Sequence, residues 1–474
     1  MKVPDASTES AESVATELAA GFTRRSINVA RAGRTAETRA TAARLAAFRF
    51  FMEHSPAEKR SGPDQQRRPS NTLPQTRQAS SPYSSLFHSR TGCMTRRRLA
   101  LGCMTGTSLD GLDVAGVAAI GSGLEVHVRL ERTGTMPLGE LAPWLRAYCD
   151  GAKATAGEAA EAALRLGELH ARALKDMHQK EPALPRPDVI AIHGQTVFHR
   201  PPVSWQLVNP WPVAREFGCP IVCDLRGQDL ALGGEGAPIT PLADWVMFRS
   251  ERETRAIVNL GGFCNVTILP RGASPEDVRA GDACACNHVL DGVARRVLGR
   301  PFDAGGARAS QGRAREEAVR ELVSIAVSTR NDSTGRRQTR SLGTGDEAIG
   351  WIERWAEKMG AEDLAASAAE GIAMSIAGWI REALHGVDRI IVAGGGALND
   401  HLVRRLAAHA GCAVETTECF GVPVTHREAA QMAVLGLLAM DGVEITLPWI
   451  TGRGGSGAGM RAGMWIGRAD GKSP

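Results

Sequence analysis

The stretch "GCMTGTSLDGLDVA", residues 102–115, constrains the fold of this chain more than any other. Two apolar runs, "RLALGCM" and "LDVAGVAAI", flank a turn built of glycine, threonine, serine and aspartate. Small residues leave the N–H groups of such a turn open to a ligand, and the hydroxyls add further donors. The natural guest is an anion, most often phosphate. A third run, "GLEVHVRLERTG", predicts an antiparallel meander with the hydroxyl-rich loop at its first turn. Further along, "AIVNLGGFCNVTIL" (256–269) repeats the strand–turn–strand pattern, so two similar halves are expected. Helical periodicity over 138–149, 157–178, 314–328, 362–385, from Asn399 and over 425–440 alternates with the strand runs "DVIAIHG", "PIVCD" and "RIIVAGGG". That texture is α/β.

The length, 474 residues, favours two domains. Residues 1–93 are rich in Ser, Thr, Ala, Arg and Pro and cannot bury enough apolar surface to offset ordering, so they are expected to be a disordered extension. Two origins stay open: an over-long start, with the working protein beginning near Met94, or a targeting segment, against which Asp5, Glu9, Glu12 and Glu17 count. The net charge of +4 owes much to arginines of this extension, so the remainder is close to neutral and argues against a nucleic-acid partner. The ten cysteines include no CxxC pair, the usage of reduced thiols in the cytoplasm. No apolar stretch reaches the roughly 20 residues needed to span a bilayer.

Of the known nucleotide devices, a Walker loop is excluded: the one GK[ST], Gly471 to Ser473, lacks its upstream glycine. The GxGxxG at Gly452 to Gly457 opens no helix. Three other glycine-rich turns each follow an apolar strand: "GTSLDG" at 106, "NLGGFCN" at 259 and "VAGGGALN" at 392. Two turns gripping phosphates from opposite domains, with a third at the nucleoside, describe an ATP clamp in a cleft.

The ordered series "GTSLDGLD", "HGQTVFHRP" (193–201), "DLRGQDLALGGEGAPITP" (224–241), "NLGGFCNVT" (259–267), "DSTGRRQ" (332–338), "GGGALN" (394–399) and "TLPWITG" (446–452) resembles the anhydro-N-acetylmuramic acid kinase family. That family belongs to the actin, hexokinase and heat-shock chaperone ATPase superfamily, and the resemblance covers nearly all of 98–468. It implies two actin-like (ribonuclease H-like) domains around an ATP cleft, 94–225 plus 447–474 and 226–446. It also implies an enzyme that uses ATP and water to open 1,6-anhydro-N-acetylmuramic acid, giving the 6-phosphate in cell-wall recycling. The implied cofactors are ATP and Mg2+, the implied partner is a small sugar, and a homodimer is a family tendency.

Residue by residue, the resemblance assigns ATP binding to Gly106, Thr107, Ser108, Leu109, Asp110, Gly111, Leu112 and Asp113, with Asp110 near the metal. Gly261, Gly262 and Asn265, and Gly394, Gly395, Gly396 and Asn399, complete the nucleotide side, Asn399 also reading as a helix N-cap. The general base falls on Asp282, in "GDACACN", where the family has the form "FDTGPGN". As a bare residue Asp282 reads as a turn former in a Gly/Ala/Cys loop. Two family glycines and a proline become Cys284, Ala285 and Cys286, each costing about 1–2 kcal/mol if forced into a left-handed backbone. His193, Gln195 and Thr196 follow a strand end, where ligand-facing residues of open α/β sheets gather, and are expected at the sugar with Asp224, Arg226, Gly234 and Glu428. Arg226 suits a lactyl carboxylate or a phosphate, whereas Asp229 reads equally well as half of a structural Asp–Arg pair. Two other readings stay open: a sugar kinase with another substrate, suggested by the altered 282–287 loop, and a non-catalytic nucleotide- or sugar-binding regulator.

Overall fold

The computed structural model describes residues 96–106, 109, 111–180, 182–329, 348–455 and 460–467. The 1–93 extension, Thr107, Ser108 and Asp110 of the first turn, "DSTGRRQ" and Gly471 to Ser473 lie outside the described residues.

β1 (Arg98–Thr105) is apolar along nearly its whole length because both of its faces are covered. Gly102 stands at its centre because a Cβ there would fall 2.2 Å from the Ala429 carbonyl oxygen, so closely does the helix Arg427–Met440 pack on it. β2 (Leu112–Ile120) and β3 (His127–Met136) complete the expected antiparallel meander. β4 (Val189–Ile192) then pairs parallel with β1. The hairpin of β5 (Gln195–Arg200) and β6 (Val203–Leu207) leaves the sheet, and β7 (Ile221–Cys223) returns parallel to β4.

β8 (Arg255–Leu260), β9 (Phe263–Leu269) and β10 (Arg279–Ala285) form a second antiparallel meander, joined by the parallel strands β11 (Arg389–Ala393) and β12 (Ala413–Thr416). β13 (Met464–Ile466) finally lines the free edge of β7. The spatial orders are β13-β7-β4-β1-β2-β3 and β10-β9-β8-β11-β12. Without β13, each reads third, second, first, fourth, fifth, so the expected duplication is present in the topology of an actin-like α/β fold.

Along β8, Ala256, Val258 and Leu260 enter a core shared with the helix Ala361–Ala383, while Ile257 faces the opposite core. That second core joins the helices Pro241–Phe248 and Arg427–Met440 to the first sheet. A boundary at 446 assigns Arg427–Met440 to the second half, but the helix packs on β1, β2 and β4 of the first sheet.

β10 departs from the sequence reading. "RAGDACA" has almost none of the branched or aromatic residues that mark a strand, and position 282 reads as loop. The strand exists because β9 offers it a pairing edge, which local propensity does not reveal.

Candidate active site

Asp282 sits directly opposite Asn265 in the β10–β9 register, only 7% exposed, and Asn265 Nδ2 donates to its Oδ1. The register shifts between Asp282 and Cys284, so a bulge re-aims the chain immediately after the carboxylate. Left-handed strain at 284–286 is absent: among described non-glycine residues only Leu109 and Asp224 have positive φ. Cys284 and Cys286 are buried, and burial holds the Cys286 thiol well above its ordinary pKa. Both are small core residues. The chain beyond the bulge is clamped to the β8–β9 turn, Cys286 N donating to Gly262 O (2.8 Å) and Asn287 N to Gly261 O (3.0 Å).

The third glycine turn closes on the same place. Gly394 has φ +83°, and a Cβ on it would lie 2.8 Å from Asn259 Oδ1 and 2.9 Å from Leu260 O. Asn287 Nδ2 donates to that Leu260 oxygen at 3.1 Å, so Gly261, Gly262 and Gly394 to Gly396 form one backbone-lined cradle. Asn399 caps the following helix Asp400–Ala410, accepting from Leu402 N at 3.0 Å as expected. In the first turn, Leu109 N donates to Gly106 O (3.2 Å), Gly111 and Leu112 lead into β2, and Asp113 on β2 accepts from the Thr135 hydroxyl (2.6 Å).

On the opposite side, Arg226 Nη1 donates to Gly236 O (2.7 Å) and Nη2 to His193 Nε2 (2.9 Å). His193 must therefore carry its proton on Nδ1, which donates to Gly194 O (3.0 Å). Burial, and then Arg226, push its pKa down to about 3, so the ring is a neutral acceptor. Arg226 itself is lowered to about 10 by burial, its Nε has no partner, and no carboxylate among the described residues is within ion-pairing distance. Glu428 and Asp224 act on it only at longer range. A half-buried guanidinium with open capacity suits an anionic group.

Glu428 opens the helix Arg427–Met440, its carboxyl raised chiefly by burial and also by Asp113 and Asp244, with Arg427 and Arg226 opposing. Glu428, Arg427, Asn259, Asn265, Pro238 and Thr240 line one small concavity. Through Asn265 it adjoins Asp282. Of the residues expected at the sugar, Arg226 and His193 are hydrogen-bonded to each other and Glu428 lies within electrostatic reach of Arg226. Gln195 is 2% exposed, donates to Thr196 O (3.2 Å) and keeps an unpartnered Oε1. Asp224, at φ +49°, accepts from Gly227 N (3.1 Å).

Gly234 has a packing reason: a Cβ there would lie 2.2 Å from Asp229 Oδ2. Asp229 is structural, buried against Arg453 (3.4 Å) and accepting from Thr451 Oγ1 (2.7 Å) and Gly236 N (2.8 Å). Sequence reasoning missed Asn259, Asp244 with Arg427, and Thr135 with His426. Only Asn259 leaves a trace, as a polar residue ending the apolar run "AIVNL".

Three histidines near this site are held neutral, His193 at about 3 and His170 and His199 at about 4, burial being the first cause in each. The unfolded chain takes up these protons near 6.5, so below that pH it binds more than the folded chain and stability falls with pH. Between pH 7 and pH 5 the fully buried His170 and His193 are each expected to remove about 2 kcal/mol. Urea midpoints at pH 5, 6 and 7 check this; an unchanged midpoint would contradict it.

The family model for anhydro-N-acetylmuramic acid kinase matches residues 98–458. A protein of that name from Salinibacter ruber is 34% identical over 379 residues, covering 75% of this chain and 94% of the relative. Another from Caldanaerobacter subterraneus subsp. tengcongensis is 30% identical, again covering 75% and 94%. A solved ROK family glucokinase from Streptomyces griseus, in complex with glucose and AMPPNP, covers 71% of this chain and 99% of its own at 12% identity, with a TM-score of 0.32. With the family model matching 98–458 and a relative 34% identical over 379 residues, this chain belongs to the anhydro-N-acetylmuramic acid kinase family.

Proposed function

We propose that the protein is an ATP-dependent kinase of 1,6-anhydro-N-acetylmuramic acid. Asp282 takes a proton from water as its oxygen attacks the anomeric carbon. The bond from that carbon to the bridging 6-oxygen breaks, and the freed oxygen takes the γ-phosphoryl group while ADP leaves. The observation that carries this reading is Asp282, buried and held by Asn265, which itself lines a concavity with Glu428 beside the cradle of Gly261, Gly262 and Gly394. Asn265 orients the base, and Arg226, steadied by His193, meets the lactyl carboxylate. The cradle and the 106–113 turn hold ATP from two sides, and closure over the sugar keeps out water that would hydrolyse the nucleotide.

Magnesium on the phosphates would neutralise charge on the transferring group. The donor set fits: this ion prefers one or two carboxylates with phosphates and waters, and the turn supplies Asp110 by sequence, outside the described residues. Among the described residues there is no cluster of three or more His, Cys, Asp or Glu that could hold a metal ion.

A cytoplasmic location and a homodimer belong to the same reading, the latter on family likeness alone. No helix among the described residues is long and apolar enough to cross a membrane. The domain division is proposed with one change, Arg427–Met440 being grouped with the first domain.

ADP release should be stimulated by the anhydro sugar and not by glucose or N-acetylglucosamine. Stimulation by another sugar instead would identify a related kinase, and by none a regulator.

A further inference from the structure

His426 immediately precedes the helix Arg427–Met440, two residues before Glu428, and its ring reaches across to the first meander. Its Nε2 lies 3.0 Å from Thr135 Oγ1 on β3 and 3.7 Å from Asp113 Oδ1 on β2. Thr135 Oγ1 is 2.6 Å from the same Asp113 oxygen. The direction of this chain follows from its donors. A carboxylate only accepts, so the single Thr135 proton goes to Asp113, and the Thr135 oxygen must accept from His426 Nε2–H. Nδ1 faces the Thr425 hydroxyl, 3.0 Å away. The segment is anchored a second time by Gly394 N donating to Val424 O (2.9 Å), which ties it to the glycine cradle. Asp113 is 29% exposed, and its field contributes to raising the Glu428 carboxyl.

We infer that His426 and Thr135 are positioning residues that fix the Asp113 carboxylate at the phosphate-binding turn, where it would help hold the magnesium ion that accompanies the nucleotide phosphates. Through the shared helix start they also fix its distance from the sugar-facing Glu428. This rests on the reading of the 106–113 turn as the phosphate-binding element. A hydroxyl held from one side by imidazole has a single direction left in which to donate, so the carboxylate stays in one rotamer when the cleft is empty. Binding then costs less ordering.

The test is steady-state kinetics of Thr135→Val, Thr135→Ser, His426→Ala and the double variant Thr135→Val/His426→Ala, with Asp113→Asn as reference. Thr135→Val and His426→Ala should each raise the KM for ATP about ten-fold, the scale of one hydrogen bond to a charged group. The KM for the anhydro sugar and the melting temperature should stay close to wild type. Thr135→Ser should recover the wild-type KM, and the double variant should be no worse than either single one, because the chain acts as a unit. If Asp113→Asn raises the KM for ATP while Thr135→Val and His426→Ala do not, the positioning role is wrong and the phosphate-turn reading stands. If Asp113→Asn also leaves it unchanged, that reading of the turn is what fails, and the inference with it. Equal rises in both KM values with a lowered melting temperature would show a merely structural contact and overturn the inference. Should the wild-type protein not turn over the anhydro sugar, affinities for AMPPNP by calorimetry decide the same comparison.

Discussion

Asp282→Asn is expected to fold, to bind nucleotide and sugar, and to turn over roughly 10²–10⁴-fold more slowly than wild type, the usual worth of a placed general base. The amide keeps the size of the carboxylate, and its Oδ1 can still accept from Asn265 Nδ2, so the β9–β10 pairing survives. What is lost is the ability to take a proton from water. A coupled ADP assay measures the fall in kcat, and a melting curve with AMPPNP titration separates it from misfolding. Near-wild-type turnover would remove Asp282 from the chemistry, whatever became of the fold.

Asp244→Ala is expected to have the largest effect on stability. Asp244 is fully buried and accepts from Arg427 Nη2 (2.5 and 2.7 Å), Arg427 Nε (3.1 Å), Gln431 Nε2 (2.7 Å) and Thr267 Oγ1 (2.9 Å). Arg427 and Gln431 belong to the helix packed on the first sheet, and Thr267 to β9 of the second. One carboxylate therefore joins the two sheets beside Glu428. Its removal leaves the Arg427 guanidinium, 4% exposed, as an unpaired buried charge, at a cost of about 3–5 kcal/mol. Urea denaturation measures the loss. The double change Asp244→Leu/Arg427→Met should recover most of it, since no stranded charge remains, and a single-variant loss below about 1 kcal/mol would contradict the assignment.

The parts of this molecule legible in its sequence are those where local chemistry dictates geometry. β1, β2 and β8 are continuous apolar runs because both faces are covered, and the turns between them require small residues. Gly394 is readable as a turn because only glycine tolerates its left-handed backbone so close to Leu260 O. Asn399 was readable as a cap. β10 was not, because its seven residues are held by pairing to β9 and by no preference of their own. For the same reason the strain expected at Cys284, Ala285 and Cys286 disappears: a bulge is a property of two strands and cannot be read from one. His426, Thr135 and Asp113 are separated by 22 and 291 positions along the chain, so no spacing rule joins them. The resemblance to a family located Asp282; the folded chain supplied its partner Asn265, which lines a concavity with Glu428.

The most direct measurement is sugar-dependent ADP formation by the purified full chain, wild type beside Asp282→Asn, with 1,6-anhydro-N-acetylmuramic acid as the only acceptor. Rapid ADP release by wild type, matched one for one by sugar 6-phosphate and falling at least a hundred-fold in Asp282→Asn, is the result expected. Equal rates in the two proteins, or ADP released without any phosphorylated sugar, would contradict it.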